Sequence, residues 1–235
     1  MTQTPAGSRR PPLLMWRPAG VSSRSLAAVA SAVSPNSLAR SATRAPFALV
    51  LVATLFATTV WTRIHQSDAA HLFNWVSSNV HNLSVAPLRS MVLSALFLPD
   101  QAWLVNAAIL LAVIIPLERA VGTRRALLIF AAAHVLATAL TEGWEYMAIR
   151  AGALPGSAAF QEDVGVSYGM YGVAAAVCVL LPRRLRNLAV IALVAYVGIP
   201  LLLEPGMTTS GHVLSVVIGV AWWPYLRRFG RPARR

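Results

Sequence analysis

A serine at position 167 and a histidine at position 212 each interrupt an apolar stretch, DVGVSYGMYGVAAAVCVLL in one case and SGHVLSVVIGVAWW in the other. A hydroxyl within reach of an imidazole is the minimal apparatus for nucleophilic acyl transfer: the imidazole takes the proton as the oxygen attacks. Kept apart, the same two groups are only expensive polar residues in an apolar setting. A lone Ser in a membrane helix bonds back to the carbonyl one turn earlier. A lone His pairs with one neighbour and does nothing else, which is the role expected of His134 in AAAHVLAT. What decides between chemistry and packing is whether the surrounding elements bring Ser167 and His212 together.

Those elements belong to a membrane. Of 235 residues 57% are hydrophobic, mean hydropathy is +0.61, and only 12% are charged, about half the roughly 25% of a soluble domain. The net charge is +12, and every basic residue is Arg. The arginines flank apolar runs rather than forming a face interleaved with aromatics, which excludes nucleic acid as a partner. The lone Cys178 lies inside an apolar run, so no internal disulfide can form and it reads as a small packing residue. His65, His71 and His81 are spaced by six and ten, so no two share a helical turn. With Phe73 and Trp75 among them they read as an interfacial aromatic segment, not a metal site. No metal or cofactor is called for.

Marking the charges leaves six uncharged runs, 45–62, 101–117, 126–141, 164–182, 187–203 and 205–226. Each approaches the ~20 residues a helix needs to cross hydrocarbon, and the shorter ones imply tilted or partly submerged helices. Met91–Leu98 is apolar but too short to cross, and reads as re-entrant or interfacial. Six crossings put both termini on one side. That side holds Arg9, Arg10, Arg17, Arg24, Arg40, Arg44, Arg119, Arg124, Arg125, Arg183, Arg184, Arg186, Arg227, Arg228, Arg231, Arg234 and Arg235; the other holds Arg63, Arg89 and Arg150 with most of the acids. The positive-inside rule makes the arginine-rich side cytoplasmic. Residues 1–45, rich in Arg, Pro and Ser, read as a disordered cytoplasmic tail with at most a weak surface helix at Leu26–Val33. Residues 46–228 form the six-helix membrane domain and 229–235 a basic tail. All-Arg usage and high Ala content point to a bacterial plasma membrane.

With this topology the second, fourth and sixth runs enter from the outer side. Asn106 comes six residues after Asp100, Ser167 four after Asp163, and His212 eight after Glu204. Three polar side chains on three helices therefore share one depth. Small residues recur at intervals of four: Gly165 with Gly169, Gly172 with Ala176, and Gly211 with Ser215 and Gly219. Such spacing lets membrane helices approach closely, as a short Ser must to reach a His on another helix. Tyr171, one turn below Ser167 on the same face, is placed to stack on the imidazole.

These residues resemble the rhomboid intramembrane serine proteases. That family's Gly-x-Ser-Gly with a later aromatic looks like Gly165-Val166-Ser167-Tyr168 followed by Tyr171. Its His-x-x-Gly-x-x-x-Gly is similar to His212, Ser215 and Gly219, and its loop Arg, helix-two Asn and Glu-x-x-x-Gly look like Arg89, Asn106 and Glu118 with Gly122. The resemblance covers about 85–226. It implies an all-α six-helix bundle that cuts transmembrane protein substrates within or beside a span by a Ser167–His212 dyad without an acidic third member. It further implies Asn106 and the Ser167 N–H as oxyanion donors, Glu118 and Gly122 as structural residues, and Arg89 as an anchor for the first loop. Two departures stand out. Ala102 occupies the place of a His that helps bind the oxyanion, and loss of one such donor costs about 10²–10³ in rate. The Gly after the nucleophile is Tyr168, bulky enough to crowd the cavity or reshape the gate. Both departures keep open a rival, a non-proteolytic rhomboid-like protein that binds transmembrane helices as clients. A small transporter fits less well, because no inverted repeat or matching pair of broken helices is visible. Oligomeric state is not legible.

Overall fold

The structure, a computed structural model, describes residues 45–98 and 103–229. The proposed tail 1–45 lies outside the described residues except for Ala45, as do Ala102 and all of the basic tail but Phe229. Every regular element among the described residues is helical. Pro46 opens α1 (Pro46–Ile64) at its first turn, where a missing N–H loses nothing. Three short helices follow, α2 (Gln66–Val76), α3 (Val80–Val85) and α4 (Pro87–Leu93), with a 3₁₀ turn at Ser94–Leu96. They occupy the segment read as interfacial. Arg89 lies over the Trp75 ring at 4.5 Å, so the expected anchor works as a cation–π contact.

Then come α5 (Trp103–Val121), α6 (Thr123–Arg150), α7 (Ser167–Cys178), α8 (Arg183–Leu203), α9 (Met207–Ala221) and the short α10 (Trp223–Leu226). Gly122, at φ +86°, supplies the sharp break between α5 and α6. Four helices, α1, α5, α6 and α8, are long and apolar enough to cross a membrane. The chain is an all-α polytopic membrane bundle.

The other two runs behave differently. Residues 164–182 yield only the 12-residue α7, and 205–226 yields the 15-residue α9 with α10 beyond it. Non-helical backbone at membrane depth survives where protein, not lipid, surrounds it, and α7 is surrounded. Nine of its residues are buried, among them Met170, Val173 and Ala176, wedged between α5, α6 and α9. At the other extreme, 6% of the apolar window of α8 is buried, against 50% in α6. The bundle is thus a tight core of α5, α6, α7 and α9 with a loosely held α8 on its flank.

The small residues explain the tightness. A Cβ at Gly169 would fall 2.5 Å from Phe130 Cζ of α6. One at Gly172 would collide with Ala133 of α6 and lie 3.4 Å from the Ser215 carbonyl of α9; one at Gly219 would collide with the Gly172 carbonyl oxygen. Ser215 is fully buried, its hydroxyl turned back to the Gly211 carbonyl at 2.7 Å. Gly165 does not belong to this packing set. It precedes α7 at φ +155°, and a Cβ there would meet only Ser167 Oγ, at 3.8 Å. Its role is in the backbone path into the helix, since its N–H donates to the Ser94 carbonyl at 2.9 Å.

At the arginine-rich end Glu118, 1% exposed, ties three elements together. Its carboxylate accepts from the Phe47 and Ala48 N–H groups at 2.9 and 3.0 Å and from Thr123 Oγ1 at 2.7 Å. A carboxylate thus caps the first turn of α1 from another helix, satisfying donors the helix cannot satisfy itself.

Candidate active site

The path to Ser167 begins in the loop after α6. Asp163 is strapped to the segment before α3. Its N–H donates to Ser77 Oγ at 2.8 Å, its carbonyl accepts from the Ser78 N–H at 2.9 Å, and Ser78 Oγ lies 2.9 Å from its Oδ2. Burial raises the Asp163 carboxyl above its ordinary range, and the Ser78 hydrogen bond opposes part of that. Two residues on, Gly165 is bonded to Ser94; Val166 is fully buried, and the helix starts at Ser167. As the first residue of α7, Ser167 has an N–H outside the helix's own ladder.

His212 stands in the second turn of α9, and its Nε2 lies 3.0 Å from Ser167 Oγ. Ser167 does not bond back along its own helix as a lone membrane Ser does; its hydroxyl faces the imidazole. Tyr171 meets the His212 ring edge-on with centroids 4.6 Å apart, and its own ring lies 6.0 Å from that of Tyr196 on α8. Among the described residues no acidic side chain is hydrogen-bonded to His212.

Asn106 shares the site. A cavity of about 300 Å³ between α5 and α8 is lined by Asn106, Ser167, Tyr171, Tyr196, Thr208 and His212. A second cavity of about 220 Å³ that also borders Ser167 is lined by Ser78, His134, Asp163, Ser167, Tyr168 and Thr208. The three residues of common depth therefore converge on one space.

Tyr168 is absorbed rather than crowding that space. It is 4% exposed, and its ring fills the gap left by Gly211, where a Cβ would fall 2.5 Å from Cε1. It stands edge-on to His212 at 5.7 Å. The bulk that replaces glycine after Ser167 is matched by a glycine on α9.

His134 is the residue that sequence reasoning undervalued. Its Nε2 is 3.0 Å from the Met91 carbonyl and 3.3 Å from Ser94 Oγ. It therefore holds the segment that in turn holds Gly165, and it lines the polar cavity beside Ser167. Nothing in AAAHVLAT distinguishes it from an idle histidine, because its partners lie about forty residues upstream. Cys178 is buried, its thiol donating to the Ala174 carbonyl at 3.1 Å. Among the described residues no group of His, Cys, Asp and Glu is arranged to hold a metal.

Comparison with known proteins adds one match. No curated protein and no solved structure matches the chain. The sequence model of a family described as rhomboid-like proteins matches residues 40–232, a span that contains every helix from α1 to α10 and both members of the Ser167–His212 pair, and the chain belongs to the rhomboid-like family.

Proposed function

We propose that this protein is an intramembrane serine endopeptidase working through a Ser167–His212 dyad. The observation that carries the reading is the 3.0 Å contact between Ser167 Oγ and His212 Nε2, well inside the reach a general base needs. Ser167 attacks the scissile carbonyl while His212 takes its proton, then returns it to the leaving amine. The Ser167 N–H at the start of α7 and the Asn106 side chain stabilise the oxyanion, a contribution of roughly 10²–10³ per donor. Tyr171 holds the imidazole ring in place of a carboxylate. A transmembrane substrate reaches the site from the lipid through the cavity between α5 and α8, the weakly packed side of the bundle. Water arrives through the polar cavity lined by Ser78, Asp163 and Thr208.

The arginine distribution supports cytoplasmic termini, which puts the site toward the extracytoplasmic face of a plasma membrane. Ala102 supports a second reading, a rhomboid-like protein that binds transmembrane clients without cutting them, since four residues before Asn106 the sequence offers a methyl group where the family has an imidazole donor. A fluorophosphonate probe separates the two. It labels the wild type and spares Ser167→Ala and His212→Ala if the dyad reacts. Wild-type protein that stays unlabelled where an active rhomboid protease labels fully leaves the client-binding reading.

A further inference from the structure

Helix α6 carries two adjacent residues that its own packing does not account for. Gly143 lies inside the helix, where glycine costs about 1 kcal/mol relative to alanine, yet a Cβ built there meets no heavy atom within 4 Å. Gly169, Gly172, Gly211 and Gly219 each sit where a side chain would collide with a neighbour. Gly198 of α8 is also open, but no orphaned polar group adjoins it. The residue before Gly143, Glu142, is 5% exposed. Its carboxyl accepts from the Val80 backbone N–H, while Oε2 is buried with no hydrogen-bond partner. A buried acceptor left unsatisfied costs about 1–3 kcal/mol, and more if charged.

Both residues line one groove of about 550 Å³ between α6 and the short helices α3 and α4, with His81, Ser84, Met91 and Tyr146 on its walls. The lining is mostly apolar, with Val80, Leu83, Pro87, Met91, Ala139 and Ile149 among its residues. No arginine contributes to it, and Glu145 and Asp163 stand close enough to Glu142 to act on it electrostatically. A missing side chain, an unpartnered buried carboxyl oxygen and two further carboxyl groups close by describe an occupant with a slender apolar body and a donating, cationic head.

We propose that the groove is a binding site for an amphiphile with an acyl tail and an ammonium headgroup, the chemistry of an aminophospholipid. The tail lies against the bare backbone at Gly143, and the ammonium donates to Glu142 Oε2. The volume falls within the roughly 300–1,000 Å³ of ligand sites. It disfavours a helix from a client or a second copy: at about 10 Å across, a helix fills roughly 420 Å³ per 5.4 Å turn, so little more than one turn would fit.

The test is native mass spectrometry of the full chain released from bilayers containing equal phosphatidylethanolamine and phosphatidylglycerol. The wild type should retain one phosphatidylethanolamine with roughly tenfold preference, the scale of one charge-assisted hydrogen bond. Gly143→Leu fills the groove and should lose the lipid; Ala139→Leu, one turn earlier on the same wall, should weaken it if Gly143→Leu does not fold. Glu142→Gln should keep a lipid but lose the headgroup preference. A wild type that retains no lipid or retains both lipids equally overturns the proposal. So does a folded Gly143→Leu that retains as much as the wild type, or a Glu142→Gln that keeps the preference. The outcome does not depend on whether Ser167 reacts.

Discussion

Gly219→Ala is the sharpest probe of how the helices hold the dyad. The added methyl would sit 2.8 Å from Ala175 Cβ and 2.9 Å from the Gly172 carbonyl carbon, and closer still to that carbonyl's oxygen. Ordinary contact begins at 3.4 Å, and two of the three obstructing atoms are backbone, so no rotamer change relieves the clash. Helices α7 and α9 must separate by roughly 1 Å, and overpacking of this kind costs about 1–3 kcal/mol. The same helices carry Ser167 and His212, whose 3.0 Å contact would open past hydrogen-bond range. A misplacement of about 1 Å in such a pair is worth about 10²-fold in rate. Gly198→Ala is the control. Its methyl meets nothing within 4 Å, so it should leave reactivity alone and stabilise by about 0.5–1 kcal/mol through helix propensity. The assay pairs the rate of fluorophosphonate labelling at Ser167 with thermal unfolding in the same detergent. If Gly219→Ala labels and melts like the wild type, close α7–α9 packing is not what sets the dyad.

Asn106→Ala should lower the labelling or cleavage rate by about 10²–10³; an unchanged rate removes Asn106 from the oxyanion site. Glu118→Ala orphans two backbone N–H groups at the start of α1 and should cost about 3 kcal/mol, read by thermal unfolding, whereas Glu118→Gln, which keeps an acceptor, should cost less. Equal losses would mean that volume and not hydrogen bonding matters there. Asp163 is held above its ordinary 3.8 by burial, so between that value and its folded-state value the folded chain binds more protons than the unfolded one. Its contribution to stability is therefore present below pH 3.8 and declines as pH rises. Asp163→Asn should melt with a shallower decline as pH rises above 3.8, and an equally steep decline would assign the pH dependence to other groups.

What could be read directly from the chain was whatever depends on local composition. Apolar runs bounded by charges marked four helices long enough to span, because hydrocarbon excludes ionised groups residue by residue, but not that runs 164–182 and 205–226 would yield shorter helices. Gly169, Gly172 and Gly219 were legible as close-packing positions because small residues repeat with the helical period. The match between Tyr168 and Gly211 was not legible. Each looks like an isolated departure, and only the crossing of α7 and α9 makes one the cavity for the other. Gly165 was misread for a related reason. Its spacing from Gly169 suits a helix face, but the helix begins two residues later, because the bonds of Asp163 to Ser77 and Ser78 and of Gly165 to Ser94 tie the preceding backbone to other segments.

The primary structure by itself determined that this protein lives in a bilayer, which end of it is arginine-rich, and that a serine, a histidine and an asparagine lie at one depth on three helices. Tertiary structure alone decided that Ser167 and His212 touch, that Tyr171 and not an acid flanks the imidazole, and that Glu142 and Gly143 border an unfilled groove. Depth follows from counting residues along an axis, which a linear code carries. Azimuth depends on how each helix is rotated against its neighbours, and that is set by contacts between residues tens of positions apart.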